Sequence, residues 1–270
     1  MLRELMITTT VAMALAAPVA TQSRTQGGAR TSAGCGGDRW SDDRASHCEV
    51  REATLPGVNP LDIDAGQNGG IRVHGWDRGE VLVRATIMGY ASTDAEARRI
   101  VAGVRVETTG GRVRADGPDS GRNEHWSVSY DVQVPRTAML ALATHNGGIA
   151  IEGFRGTATF RAQNGGVSLT DVGGDLRGGT TNGGVTVDLS GDRWDGPGLD
   201  VETHNGGIRM TLPANFSADL ETGTTHGRLN VDFPVTVNGT IDRHLTTMLG
   251  AGGAKMRVIT TNGGVTIRRR

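Results

Sequence analysis

Two carboxylates, three histidines and two cysteines are the residues whose types and spacing could do chemistry in this chain. Asp188 and Asp232 fall at equivalent outward positions of a repeating strand pattern, with Glu152, Thr170 and Thr211 in the same column. Taken as two coils apart, their Cα atoms would lie roughly 9–10 Å from each other, within reach of the carboxyl pair of an inverting polysaccharide hydrolase. A solvated strand face is the plainer reading of the same residues. His145 and His204 each precede an asparagine of the repeat, yet three coils, about 14 Å, would separate them, too far for one metal ion. His226 stands where other repeats carry that asparagine, so it interrupts the column, and turn chemistry alone accounts for it. No metal site and no cofactor is expected.

Other chemistries find less to work with. No Gly-x-Gly-x-x-Gly bridges a strand and a helix, no Gly-Lys-Ser/Thr occurs, and no Gly-x-Ser-x-Gly elbow is present. Lys255 is the single lysine. Cys35 and Cys48, separated by 13 residues, are the only cysteines and bracket Trp40 in a polar segment. An even pair in such a setting reads as a disulfide of an oxidising compartment. Closing a loop of that size contributes about 3 kcal/mol by the chain-entropy model.

The elements that would position these groups come from a phrase that keeps returning. It reads Thr-His-Asn-Gly-Gly-Ile at 144–149, Ala-Gln-Asn-Gly-Gly-Val at 162–167 and Thr-Thr-Asn-Gly-Gly-Val at 180–185. It recurs at 203–208 and 260–265, with a worn copy, Thr-Thr-His-Gly-Arg-Leu, at 224–229. Asn146, Asn164 and Asn182 are spaced 18 residues apart. A fixed period of this size marks a solenoid, in which each repeat is one coil stacked on the last.

After each Asn-Gly-Gly the apolar residues alternate, as in Ile149/Ile151, Val167/Leu169, Val185/Val187, Ile208/Met210 and Val265/Ile267. A second alternating run precedes the turn, with Thr144, Leu142 and Leu140 in one coil and Thr203, Val201 and Leu199 in another. Period two is a strand with one buried face. The turn residues are Asn146, Gly147, Asn164, Gly165, Asn182, Gly183, Asn205, Gly206, Asn262 and Gly263, with an outlier at Asn68. Asn-Gly supplies positive φ at little steric cost, which suits a sharp reversal. Asn-Gly between apolar runs is also a hairpin signal, so an antiparallel meander competes; even spacing and one turn phase favour coils. In stacked coils ~4.8 Å apart the asparagines would form a column bonded up and down.

Glycine is abundant, at 42 residues, aromatics make up 4% and the formal net charge is −1. A narrow core of Val, Ile, Leu, Ala and Thr accounts for the first two. The mixed, near-neutral charge gives no case for nucleic acid or an anionic membrane. Residues 1–20 look like a secretory signal, with Arg3 in front of an apolar run that ends at Ala-Pro-Val-Ala. Cleavage is expected near Ala16 or Ala20, leaving no integral membrane segment, since no later stretch approaches ~20 apolar residues. Ser32 to Cys35 resembles a lipoprotein cleavage box, but the apolar run ends too early, and Arg24 and Arg30 intervene.

Residues 21–55 read as a flexible leader holding the disulfide, and 56–267 as the β-domain. Leu61 and Ile63 are out of phase with later coils before Asn68, which predicts a bulge or a different hairpin. Ser92, Thr93, Asp94 and Glu96 open the only convincing helix, which buries Ala97, Ile100 and Val101 and ends near Gly103. Strands are predicted at 81–87, 104–107, 112–115 and 126–134. Loops at 190–198, carrying an exposed Trp194, and at 238–255 are the candidate contact regions. Arg268, Arg269 and Arg270 end the last strand, where their charge would discourage end-to-end stacking.

The recurring Thr-x-Asn-Gly-Gly-[Ile/Val] phrase, with Gly153 and Gly174 closing coils, Leu212-Pro213 and Leu249-Gly250, resembles the bacterial putative adhesin family also called toastrack. The likeness spans about 61–267. It implies an exported or envelope-anchored β-solenoid-like domain, some relatives being linked to envelope-stress sensing, and it supplies no catalytic residues. The fold expected is therefore all-β, a parallel β-helix or solenoid-like coil stack with repeated Asn-Gly-Gly turns and one short N-terminal helix. The function expected is that of a non-catalytic adhesin-like module of the periplasm or cell surface. Its partner would be an unknown envelope protein or polysaccharide, or it would take part in envelope-stress sensing. The alternative is a polysaccharide-acting enzyme on a β-helix scaffold.

Overall fold

The computed structural model describes residue 35 and residues 45–57, 59–234 and 243–270. The expected signal segment and most of the expected leader lie outside the described residues. In chain order the elements are β1 (Ala45–Leu55), β2 (Leu61–Asp64), β3 (Ile71–Trp76), β4 (Val81–Ala91), α1 (Asp94–Gly103), β5 (Arg105–Glu107), β6 (Arg112–Asp116) and β7 (His125–Pro135). The repeats follow as strand pairs: β8 (Met139–Asn146) with β9 (Ile149–Glu152), β10 (Thr157–Asn164) with β11 (Val167–Thr170), β12 (Asp175–Asn182) with β13 (Val185–Asp188), and β14 (Gly198–Asn205) with β15 (Ile208–Leu212). Then come β16 (Ala218–His226) with β17 (Leu229–Val231), β18 (His244–Leu249), and β19 (Lys255–Asn262) with β20 (Val265–Arg269).

Two 10-stranded sheets face each other. One runs β1-β4-β7-β3-β9-β11-β13-β15-β20-β17, the other β18-β16-β19-β14-β12-β10-β8-β2-β6-β5. Each repeat places its first strand in the second sheet and its second strand in the first, and successive repeats pair in parallel and in register. Parallel pairing excludes the meander.

Spatial order departs from chain order at both ends of the stack. The β19/β20 coil lies between β14/β15 and β16/β17. At the other end β6 and β7 lie outside β2 and β3, which pair directly with β8 and β9. The C-terminal arginines are therefore not at an end of the stack: Arg269 reaches Asp232 at 3.3 Å, and Arg270 pairs with Asp188.

Alternation within each strand sends one face inward. Ile149, Ile151, Val167, Leu169, Val185, Val187, Ile208, Met210, Val265 and Ile267 from one sheet meet Leu140, Leu142, Ala158, Phe160, Leu176, Leu199, Val201, Met256 and Val258 from the other, all buried. Full burial of one such aliphatic side chain stabilises by about 1.5–3 kcal/mol. Volume is matched across rungs: a Cβ on Gly178 would come within 2.0 Å of the Phe160 carbonyl and 2.7 Å of its ring. Gly178 is thus the space into which Phe160 packs.

The predicted bulge before Asn68 is present. Leu61 and Ile63 pair with Leu140 and Leu142, the extra residue is absorbed at Gly66, whose φ is 62°, and Asn68 bridges to Asn146 in phase with the other turns. Residues 45–55, placed in the leader from the sequence, form β1 instead. It pairs antiparallel with β4 from Ala45↔Ala91 to Leu55↔Val81. Its alternation was masked by the charges at Glu49, Arg51 and Glu52. The Cys35–Cys48 disulfide, with Cα atoms 5.9 Å apart, ties the preceding segment to this strand.

The helix begins as expected, with Thr93 as N-cap and Glu96 completing a capping box. It packs Ala97, Ile100 and Val101 inward. Gly89 on β4 lets it approach, since a Cβ there would meet the Ala97 carbonyl at 2.7 Å. Its last turn carries no basic residue; Arg51 from β1 donates to the carbonyls of Val101 and Val104. That contact satisfies orphan helix-end acceptors.

Candidate binding face and the turn column

Each residue of the repeated phrase has a mechanical task. The threonine hydroxyl, buried, donates to a turn-glycine carbonyl of the neighbouring coil: Thr144 to Gly69 at 2.6 Å, Thr180 to Gly165 at 2.7 Å, Thr203 to Gly183 at 2.7 Å, Thr260 to Gly206 at 2.8 Å and Thr224 to Gly263 at 2.7 Å. In the β10/β11 coil Ala162 takes that place. The asparagine amides form one continuous ladder, Asn146 donating to Asn68, Asn164 to Asn146, Asn182 to Asn164, Asn205 to Asn182 and Asn262 to Asn205, at 2.8–3.1 Å.

His226 joins this ladder instead of breaking it, its Nδ1 lying 3.1 Å from the Asn262 Oδ1. Because that oxygen is an acceptor, His226 must carry its proton on Nδ1.

The first glycine is required for a reason other than the expected one. Gly147, Gly165, Gly183 and Gly206 do not have positive φ, while Gly69 and Gly263, at 156° and 157°, lie near its extended edge; among the described residues other than glycine only Asp171 has positive φ. A Cβ would instead strike the neighbouring turn: 2.0 Å from the Gly69 carbonyl for Gly147, 2.1 Å from Gly147 for Gly165, 2.1 Å from Gly165 for Gly183, 1.9 Å from Gly183 for Gly206 and 2.2 Å from Gly206 for Gly263. Close backbone approach between coils, one of the standard uses of glycine, sets the motif.

The candidate chemical groups are not brought together. Asp188 pairs across to Thr211, Thr211 to Arg268, and the Asp232 N–H donates to Ile267. The inserted β20 therefore makes the separation three strands, about 14 Å, instead of two. Both carboxylates are held by arginines of the C-terminus. His145 and His204 lie on β8 and β14, with β10 and β12 between them. Among the described residues no group of three or more His, Cys, Asp or Glu could hold a metal ion.

Trp194 is not an exposed contact residue. It is 5% exposed, belongs to the core, and donates its indole N–H to the Gly174 carbonyl at 2.9 Å. Trp194 turns inward to close its coil while the rest of the 190–198 loop stays at the surface, a choice that loop composition did not reveal.

A surface depression lies on the outer side of the second sheet. It is a trough of about 890 Å³ running across β2, β8, β10, β12, β14 and β19. At about 4.8 Å per strand its length is about 24 Å. Ala141, Ala143 and Gly179 form a floor of small residues, and Arg161, Arg177, Asp200, Glu202 and Arg257 stand around it. Arg177 is held by Asp175 through contacts of 2.9 and 3.2 Å. Arg257 donates to Asp200 at 2.7 Å and lies 3.7 Å from Glu202; the hydrogen bond with Asp200 is the main reason its pKa is raised, so it stays protonated. Beside it Glu221 bonds Lys255 at 2.9 Å, which holds its carboxyl below the usual range. Arg161 is exposed and has no hydrogen-bond or ion-pair partner among the described residues.

Sequence reasoning passed over these trough residues. The signal was available: they occupy the outward positions three and five residues before each turn asparagine, as Arg161 and Thr159 do before Asn164. Which phases lie side by side follows once the coils are stacked.

The Toastrack DUF4097 family model matches residues 101–268, from the end of α1 to β20. No curated protein matches the sequence. Similar solved structures include a "putative cell adhesion protein" from Clostridium sporogenes, 11% identical, covering 83% of this chain and 100% of that one with a TM-score of 0.44. A "putative adhesin" from Bacteroides fragilis is 12% identical over 82% of this chain and 97% of its own, TM-score 0.33. A "putative lipid binding protein" from Parabacteroides distasonis is 10% identical over 83% and 96%, TM-score 0.32. With more than half of its length matched by the family model, this chain belongs to the Toastrack DUF4097 family.

Proposed function

We propose that the protein is an exported surface or envelope module that binds an extended anionic polymer along the trough of the second sheet. The observation that carries this reading is the geometry of that face. Small residues floor a channel about 24 Å long, and Arg161 stands beside it with no acidic partner among the described residues. A guanidinium free of carboxylates is suited to carboxylate, sulfate or phosphate groups on a ligand. Export is supported by the signal-like residues 1–20 and by the Cys35–Cys48 disulfide, which belongs to an oxidising compartment. No helix among the described residues is long and apolar enough to cross a membrane. Binding is favoured over catalysis because Asp188 and Asp232 are both neutralised by arginines.

The test is co-sedimentation of the purified chain with cell-wall material, with the supernatant assayed for released sugars. Retention that disappears in Arg161→Glu, and persists in Arg209→Glu on the opposite sheet, supports the reading. Release of sugars would overturn it in favour of an enzyme. Absence of retention would move the search to a protein partner, as a role in envelope-stress sensing requires.

A further inference from the structure

Asn-Gly is the dipeptide in which an asparagine most readily modifies itself. The glycine nitrogen loses its proton and attacks the side-chain carbonyl carbon, the side-chain NH₂ takes up a proton and leaves as ammonia, and water then opens the succinimide ring to aspartate or isoaspartate. The described residues hold this pair at Asn68, Asn146, Asn164, Asn182, Asn205 and Asn262. A chain so rich in it should be chemically perishable.

In the folded coil both reactants are held. The attacking nitrogen of each turn donates its proton to the next rung, Gly147 to the Asn164 carbonyl, Gly165 to Asn182, Gly183 to Asn205 and Gly206 to Asn262, each at 3.0 Å. The side-chain amide under attack is fixed by the ladder, which engages both its oxygen and its nitrogen in the interior rungs. Attack needs the glycine nitrogen to give up its proton and the amide to rotate out of line. Both movements break bonds between coils.

Asn68 differs. It is the acceptor end of the ladder: its oxygen receives the Asn146 amide, and its own NH₂ has no partner among the described residues. It also sits in an isolated bridge outside any strand. We propose that the Asn-Gly turns are latent self-modification sites silenced by the ladder, and that Asn68 is the turn at which the folded protein converts first.

Ladder direction makes the consequences unequal. Aspartate at 68 can still accept from Asn146. At position 164 a carboxylate has no proton for the Asn146 oxygen, so two acceptors face each other. Conversion of interior turns while the chain is unfolded therefore blocks its return to the stack, and exposure to denaturant becomes irreversible with time.

The experiment uses the full mature chain with its disulfide intact, incubated at mildly alkaline pH either folded or in urea. Amide-to-acid conversion is followed at each turn by peptide mass spectrometry, and refolding yield is measured after timed unfolding. Interior turns should convert at least roughly tenfold more slowly in the folded chain, because reaction samples only the opened fraction, while Asn68 leads. Equal rates in the two states would overturn the shielding, and Asn68 lagging behind Asn164 would overturn the ordering. Asn164→Ala supplies a second check by leaving the Asn182 amide without its acceptor. Provided it folds, Asn182 should then convert as fast as Asn68, and an unchanged rate there would refute the ladder as the shield.

Discussion

Replacing Gly165 by alanine separates two explanations of the repeat. The added Cβ would lie 2.1 Å from the Gly147 carbonyl oxygen, whereas an ordinary C···O contact is about 3.3 Å. The two coils must then part by about 1.2 Å, which is beyond what a hydrogen bond tolerates. Lost with that movement are the Gly147 N–H bond to Asn164 at 3.0 Å and the Asn164 amide bond to Asn146 at 2.9 Å. Losing the two bonds between exposed or half-buried groups costs about 1–3 kcal/mol and the remaining overlap about 1–3 kcal/mol more, out of a stability of roughly 5–15 kcal/mol. At about 2–4 °C per kcal/mol for a domain of this size, the melting temperature should fall by roughly 5–20 °C. Gly166→Ala is the control, because its Cβ meets the Gly184 carbonyl at 3.3 Å and should cost about 1 kcal/mol or less. Thermal unfolding followed by circular dichroism reads both. Melting of the two variants within about 2 °C of each other would refute the close-approach argument. So would a wild-type melting temperature for Gly165→Asn, the outcome expected if positive φ were what the turn needs.

Three further outcomes follow from the packing and charges. Ala162→Thr restores the missing hydroxyl opposite the Gly147 carbonyl and should add about 0.5–1.5 kcal/mol to stability in urea titration; an unchanged or lower urea midpoint would refute the role given to the threonine hydroxyl. Trp194→Ala should cost roughly 3–5 kcal/mol as a core truncation; a surface contact residue would instead change binding and leave the urea midpoint where it was. Asp77, Glu107 and Glu221 have carboxyl pKa values lowered by hydrogen bonds from Arg136, Arg114 and Lys255 respectively. Their contribution is present above the unfolded carboxylate pKa, about 4, and is lost as pH falls through the lower folded values. Urea midpoints should therefore decline below about pH 4, and the decline should shrink in Lys255→Met.

Some of this architecture was legible because it is written locally. The period-two runs, the fixed spacing of Asn146, Asn164 and Asn182, and the Thr93–Glu96 capping box act within a few residues of themselves, and each formed where its residues stand. β1 is hard to see in the sequence because Glu49 and Arg51 stand on the face that pairs with Ile87 and Ala85, where apolar residues would be expected. Trp194 was misplaced because a tryptophan among Asp192, Arg193 and Asp195 looks like a loop tip until the coil it closes is seen.

What the sequence determined by itself is the single rung: two short strands, an Asn-Gly-Gly bend, a threonine pointing in and an asparagine pointing along the stack. Tertiary structure alone decided which rung lies on which. All rungs share one cross-section and one ladder, so a coil can stack on any other, and nothing in the phrase specifies a neighbour. The choice falls to the long connections and to β18, which pairs antiparallel with β16 while β19 and β20 take the gap beside β14 and β15. That choice moved Asp232 one strand further from Asp188, brought Arg257 beside Asp200, and placed His226 at the end of the asparagine ladder.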